Sequence, residues 1–308
     1  MADKRGIRVN TLVIGAGRSG TTSLCSLLEG HREVCFSNIK EVHYFSIPDL
    51  YRRGEGYYHS FFRRYRGEPV VASADTYLLM DHEAIQRVHA YNPDMKIIVL
   101  LRDPVARAWS SYHYSVSYGH HGAYADFLDS PEKEKHIRDE KDIVRRNNAG
   151  HFYGSLYYEH LHRWAEAFPR EQMLLLKTED LKEAPEELTR KLYAFLDLVP
   201  DGSVPGTANQ AAVPGSLMLE RFLLDRDRFF RKVIRKAVPR FIKNLVIGTG
   251  VVDRLHEANR KPGPYEPLPV EKEEEARHYF EKDLSLLKKE FQMDLTPSVK
   301  RKGPEAAV

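Results

Sequence analysis

One stretch near the start constrains the chain most: the apolar run Leu12-Val13-Ile14 passes straight into Gly15-Ala16-Gly17-Arg18-Ser19-Gly20-Thr21-Thr22-Ser23-Leu24. A buried strand, a glycine-rich turn and an immediate helix start leave few architectures open. The glycines let the backbone curl with its N–H groups inward, and the helix N-terminus adds partial positive charge, so the stretch reads as a phosphate cradle. The spacing Gly15-x-x-x-x-Gly20 is that of a P-loop, but that motif then calls for Lys before Ser/Thr. Thr21 stands in the lysine's place, and the nearest cation is Arg18, inside the loop. A nucleoside-triphosphate enzyme uses its lysine on the β/γ-phosphates and the next hydroxyl on Mg²⁺. A loop without that lysine is expected to hold something other than Mg-ATP.

Apolar runs over 9–14, 34–37, 69–73, 96–101 and 173–177 read as strands. Between and after them, helices are expected at Thr21–Glu29 (ended by Gly30), Tyr57–Tyr65, 82–91 behind an Asp81 cap, and 104–112 opened by Pro104. Further helices are expected at Gly154–Phe168, Pro185–Leu196 and Val270–Phe291. Strands alternating with helices at these lengths predict an α/β fold with a P-loop-type, mostly parallel central sheet flanked by helices and a helical C-terminal region. With 308 residues, 42% of them hydrophobic, the chain suits a single domain. Within it, 9–200 is the α/β core, 215–256 a basic helical segment and 257–292 a late basic loop with a closing helix. The last dozen residues read as a disordered tail.

Chemistry-bearing residues cluster at predicted strand ends. Lys40-Glu41-Val42-His43 places an acid and an imidazole two residues apart, which in an extended segment share a face. A surface turn with incidental charges is the alternative. Arg102 closes the strand over 96–101, where open α/β sheets bind ligands. His120-His121 has no carboxylate or cysteine at ligand spacing nearby, so no metal site is expected. A partly helical wall around an acceptor pocket is the reading of 113–150. Residues 217–244 interleave cations such as Arg231, Lys232, Arg235 and Lys236 with aromatic and aliphatic side chains. Such a segment can lie on an anionic membrane, bind an anionic acceptor, or be a solvated basic face. The net charge of +3 does not call for nucleic acid. Cys25 and Cys35 read as buried thiols of a reducing compartment. With no secretory signal and no bilayer-length apolar run, a cytoplasmic protein is expected.

Three motifs in order carry a family resemblance: G-x-x-R-S-G-T-T-S-L after the first strand, K-E-V-H-Y-F after the second, and L-R-D-P-V-A-R-A-W-S-S-Y after the central one. Together they resemble the sulfotransferases that use 3′-phosphoadenosine 5′-phosphosulfate, above all the heparan-sulfate type and its bacterial relatives. The resemblance covers 9–198 firmly and 255–290 loosely. It implies that Arg18, Ser19, Gly20, Thr21, Thr22 and Ser23 hold the 5′-phosphate and sulfate, and that Arg102 and Ser110 grip the 3′-phosphate. Arg260 and Lys261 in the basic proline loop 259–265 would close over that phosphate, although the loop departs from the lysine-glycine-arginine pattern of the animal enzymes. Glu41 would be the general base, His43 would orient the acceptor or share the proton, and Arg18 would stabilise the leaving phosphate. The family usually has lysine at the Arg18 position. A lysine common in the strand-3 motif of relatives is absent near Ser73 and Ala74, so no role passes to Ser73 or Asp75. Thr178 is a candidate to approach the adenine. Two other readings stand beside sulfuryl transfer to a carbohydrate, lipid or other hydroxyl: a P-loop small-molecule kinase, and a non-catalytic nucleotide-binding module that docks on membranes.

Overall fold

The computed structural model describes residues 6–117, 127–205, 212–214, 260–262 and 267–296. In chain order come β1 (Thr11–Gly15), α1 (Thr21–Gly30), β2 (Val34–Phe36), the short helices α2 (Pro48–Tyr51) and α3 (Glu55–His59), β3 (Val70–Ala74), α4 (His82–Tyr91), β4 (Lys96–Leu101) and α5 (Pro104–Ser117). There follow α6 (Ser130–Lys133), α7 (Ile143–Ala149), α8 (Tyr157–Ala167), β5 (Met173–Lys177), α9 (Asp180–Glu183) and α10 (Pro185–Leu196). The last elements are β6 (Ala212–Pro214), β7 (Arg260–Pro262) and α11 (Val270–Phe291).

Five strands form one parallel sheet in the order β2-β3-β1-β4-β5. Parallel strands covered on both faces need unbroken apolar runs, and β1 and β4 supply them. Alternation then sorts their side chains by face. Leu12, Ile14, Ile97 and Val99 join Leu161, Trp164 and Phe168 around α8, with Leu287 and Phe291 of α11. Val13, Ile98 and Leu100 join Leu24 and Leu28 of α1 with Leu188 and Leu192 of α10. From β1 the chain goes first to the edge strand β2, returns to β3 beside β1, then crosses to β4 and β5 on the other side. The order therefore reverses at β1, and the C-terminal ends of β3, β1 and β4 open on one crevice, where such sheets bind ligands.

The polar junctions that aim this edge are local. Asp81 Oδ1 caps α4 by accepting the Ala84 N–H at 3.3 Å, and Asp103 Oδ1 accepts the N–H groups of Val105 and Ala106 at 2.9 and 3.0 Å, which starts α5 directly after Arg102.

Several expectations change. The helix over Tyr57–Tyr65 is only α3, because Asn38 draws the following backbone away: its N–H donates to Phe61 O at 2.7 Å and its Oδ1 accepts from Arg63 N at 2.9 Å. The helix expected from Gly154 begins at Tyr157, after a 3-10 turn over Tyr153–Ser155. Residues 260–262 of the basic proline loop are a strand, β7, paired antiparallel with β6. The whole of 215–256, the pair His120-His121, and the tail over 297–308 lie outside the described residues. Among the described residues no helix is long and apolar enough to cross a membrane.

Cys25 and Cys35 are both free and buried. Burial pushes the first thiol up to about 12, against a smaller opposing pull from Lys40, and the second to about 11. Since the thiolate is the reactive form, neither should react with a disulfide reagent in folded protein at pH 8. Both should react at once on unfolding, as counted by released chromophore.

Candidate active site

The glycine loop leaves β1 and enters α1 through Gly20, whose left-handed φ of 85° begins a helix with no side-chain cap and no acid in its first turn. An uncapped helix start of this kind presents donors and positive potential to an anion. A side chain at Gly20 would be strained by that φ and would meet Leu181 Cδ1 at 2.8 Å.

Three consecutive loop carbonyls are each held from behind by a side chain of another element. Arg107 Nε on α5 donates to Gly17 O at 3.0 Å. Arg102 Nη1 at the end of β4 donates to Arg18 O at 3.3 Å. Thr178 Oγ1, just after β5, donates to Ser19 O at 2.7 Å. With these carbonyls turned to the scaffold, the loop keeps its other side for a ligand. Ser19 itself is fully buried, and its hydroxyl has no hydrogen-bond partner among the described residues. An orphaned buried hydroxyl in an anion loop fits a missing acceptor such as a phosphate or sulfate oxygen.

Arg18, expected at the 5′-phosphate, reaches Ser110, expected with Arg102 at the 3′-phosphate: its Nε donates to Ser110 Oγ at 3.3 Å, and its guanidinium lies 4.7 Å from the Tyr114 ring centre, while Arg102 donates to the Arg18 carbonyl. Thr21 and Ser23 are buried in the first turn of α1, and Thr22 is exposed there. Thr178, a candidate for the adenine, braces the loop with its hydroxyl. Arg260 and Lys261 are placed only by backbone, in β7 beside Pro214 and Val213.

Glu41 and His43 reach the same crevice, but not through an extended segment. Glu41 and His43 have left-handed φ of 60° and 55°, so the chain winds rather than alternates. Arg18, at φ 70°, shares this conformation. Of the five described non-glycine residues with positive φ, Asp197 and Gln292 are helix C-caps, where that geometry is ordinary. The other three are the proposed catalytic side chains. Such conformations each cost on the order of 1 kcal/mol or more and persist where surroundings enforce them.

Those surroundings are explicit. Glu41 Oε2 accepts the Thr76 N–H at 2.7 Å and Thr76 Oγ1 at 3.1 Å, while Oε1 accepts Lys40 Nζ at 2.8 Å. The carboxylate is thus held by polar donors rather than set against an apolar wall. His43 Nδ1 pairs with Asp75 Oδ1 at 2.9 Å, and Ser46 Oγ donates to Asp75 Oδ2 at 2.6 Å. The His43 ring lies 4.4 Å from that of Tyr77. Asp75, given no role from the sequence, therefore belongs to the site, as does Ser46. One ligand atom each of Glu41, His43 and Asp75 lie within 4.8 Å of one another, so this cluster has the spacing of a metal group as well as of a hydrogen-bonded one. Asp75 and Arg107 were missed because nothing in local spacing marks a side chain whose partner is 32 or 90 residues away.

Burial alone pulls the His43 pKa down, but the hydrogen bond and charge of Asp75, helped by Glu41, more than offset it, and the net shift is upward from 6.5. The charged ring therefore adds stability fully present below pH 6.5 and lost as pH rises through the raised folded value. In ring-proton NMR His43 should titrate above 6.5. Asp75→Asn should drop the midpoint below 6.5 because burial then dominates, and an unmoved midpoint would exclude Asp75 as the cause.

The family model for the sulfotransferase domain matches residues 9–209. A solved sulfotransferase from Alicyclobacillus acidocaldarius has the same fold, with a TM-score of 0.64 at 24% identity over 94% of this chain and 98% of that one. The membrane-associated sulfotransferase kil1 of Dictyostelium discoideum is 25% identical, over 61% of this chain and 56% of its own length. The heparan sulfate glucosamine 3-O-sulfotransferase 3B1 of Mus musculus is 28% identical, over 61% of this chain and 45% of its own. The chain thus spans about half the length of these two relatives. A family model running from the first strand past the fifth, over a sheet of the same fold, means that this chain belongs to the sulfotransferase domain family of transferase enzymes.

Proposed function

We propose that the chain transfers a sulfuryl group from 3′-phosphoadenosine 5′-phosphosulfate to an acceptor hydroxyl. The observation that carries the reading is the loop itself: an uncapped helix start, a Ser19 hydroxyl without a partner among the described residues, and Thr21 where a triphosphatase needs its Lys, with Arg18 the cation inside the loop. The donor supplies an activated sulfate on a phosphate leaving group. Ser19, Thr21, Thr22 and Ser23 with the N–H groups at the start of α1 would hold its 5′-phosphate and sulfate. Arg102 and Ser110 would hold the 3′-phosphate, and Arg260 and Lys261 would close over it.

The chemistry follows from the residues. The acceptor oxygen bonds to sulfur as the bond from sulfur to the bridging phosphate oxygen breaks. The acceptor proton passes to Glu41, and the bridging oxygen's charge is met by Arg18. An arginine keeps its proton at neutral pH, so Arg18 acts as fixed charge rather than acid. His43, held by Asp75, orients the acceptor. The tasks are positioning and charge stabilisation. The acceptor class favoured by the relatives is a carbohydrate hydroxyl. Residues 217–244, outside the described set, are proposed to contact an anionic membrane or the acceptor.

With labelled donor and a host lysate as acceptor source, wild-type protein should label a product. Arg18→Ala should cut turnover far more than donor affinity, and an unchanged single-turnover rate would remove its role. Glu41→Gln should keep donor binding and lose roughly 10²-fold or more in rate; retained activity would move the base elsewhere. Magnesium-dependent ATP consumption without sulfate transfer would instead identify a kinase.

A further inference from the structure

Arg107 on α5 is 2% exposed, and every hydrogen bond it makes goes to an uncharged acceptor. Nε donates to Gly17 O at 3.0 Å, while Nη1 donates to His151 O at 3.0 Å and to Ser155 Oγ at 3.3 Å. Among the described residues no carboxylate oxygen lies within 4.0 Å of it. Glu134 is the acid in its field, but its oxygens accept the N–H groups of His151, Phe152 and Tyr153 at 2.8, 3.1 and 2.7 Å. Burial pushes Glu134 up to about 7, against the three N–H donors and the charge of Arg107. The fold gives up a side chain for this guanidinium: a Cβ at Gly154 would stand 2.7 Å from Arg107 Nη1 and 2.8 Å from Met80 Sδ.

A buried cation with no carboxylate bonded to it is costly. Two carbonyls and a hydroxyl need only a donor, so the positive charge is surplus to what the fold requires. It lies directly behind the loop that is read here as the cradle of an anion. We propose that Arg107 is both the positioning residue of the glycine loop and a fixed counter-charge of the donor site, unmatched in the free protein and matched when the phosphosulfate end occupies the loop. This rests on the donor reading given above. Through Gly17 it fixes the loop's shape. Through its field, weakly screened in a dry interior, it attracts the anion without touching it.

Calorimetry with adenosine 3′,5′-bisphosphate, on the full chain, separates the parts. Wild type should bind, Arg107→Gln should bind about tenfold more weakly or worse, the scale of one charge interaction through protein, and Arg107→Lys should stay within about threefold of wild type. Without ligand, Arg107→Gln should melt no lower than Arg107→Lys, because it removes an unmatched charge; a merely structural hydrogen bond would not give that order. Equal affinity of Arg107→Gln and wild type overturns the counter-charge alone, as does Arg107→Lys falling as far as Arg107→Gln. If Arg107→Gln does not fold, Gly154→Ala gives the same readout by displacing the guanidinium, and unchanged affinity there overturns the proposal. No binding by wild type overturns the donor reading, and the counter-charge with it.

Discussion

Everything at the crevice depends on which way three carbonyls point. Gly17, Arg18 and Ser19 offer their oxygens to side chains from α5, the end of β4 and the turn after β5. A backbone unit that gives its oxygen to the scaffold must turn its other groups elsewhere, so the loop's anion-facing side is set by bonds made behind it. Such bonds are each modest in net terms, about 1 kcal/mol, and more with a charged donor. Their collective effect is directional. They convert a flexible glycine turn into a shaped concavity before any ligand arrives, which is what electrostatic stabilisation requires.

The second half of the site shows the same logic at higher local cost. The segment from Lys40 to Ser46 forms no strand, and two of its residues adopt conformations that side chains disfavour. Hydrogen bonds to the turn after β3 hold it there: Thr76 fixes Glu41, and Asp75 fixes His43 while accepting Ser46. Since β3 is registered against β1, with Val13 opposite Ala74, this acid-and-imidazole cluster is tied to the strand that launches the glycine loop. The glycine loop and the acid-and-imidazole cluster are thereby referenced to one central strand.

Much of this was legible in the chain because it is written locally. Continuous apolar runs mark β1 and β4, the charged run over 270–291 marks α11, and the glycine spacing marks the loop, each within a window of a few turns. Arg18, Glu41, His43, Arg102 and Ser110 are candidates through motif order, which stands in for tertiary proximity. The residues that were missed act across the fold. Asp75 follows β3 and reads as an ordinary strand-end acid until His43 is laid against it, and Arg107 reads as a helix-surface cation until its face is known to be buried. The left-handed turns at Glu41 and His43 were also invisible, since neither residue type announces them. Local pattern shows which elements form; it does not show what they are pressed against.

The pairing of β6 with β7 has a consequence for how such a chain can vary. Val213 lies opposite Lys261 in an antiparallel pair, so two points 48 residues apart in sequence sit a strand's width apart in space. The two ends of the intervening stretch are therefore held together by this one strand pair. Lengthening a closed excursion is thermodynamically mild, about 0.6 kcal/mol for each doubling. The spacing between the two strands of this clasp can therefore change in length at little thermodynamic cost while the pairing that closes it is kept.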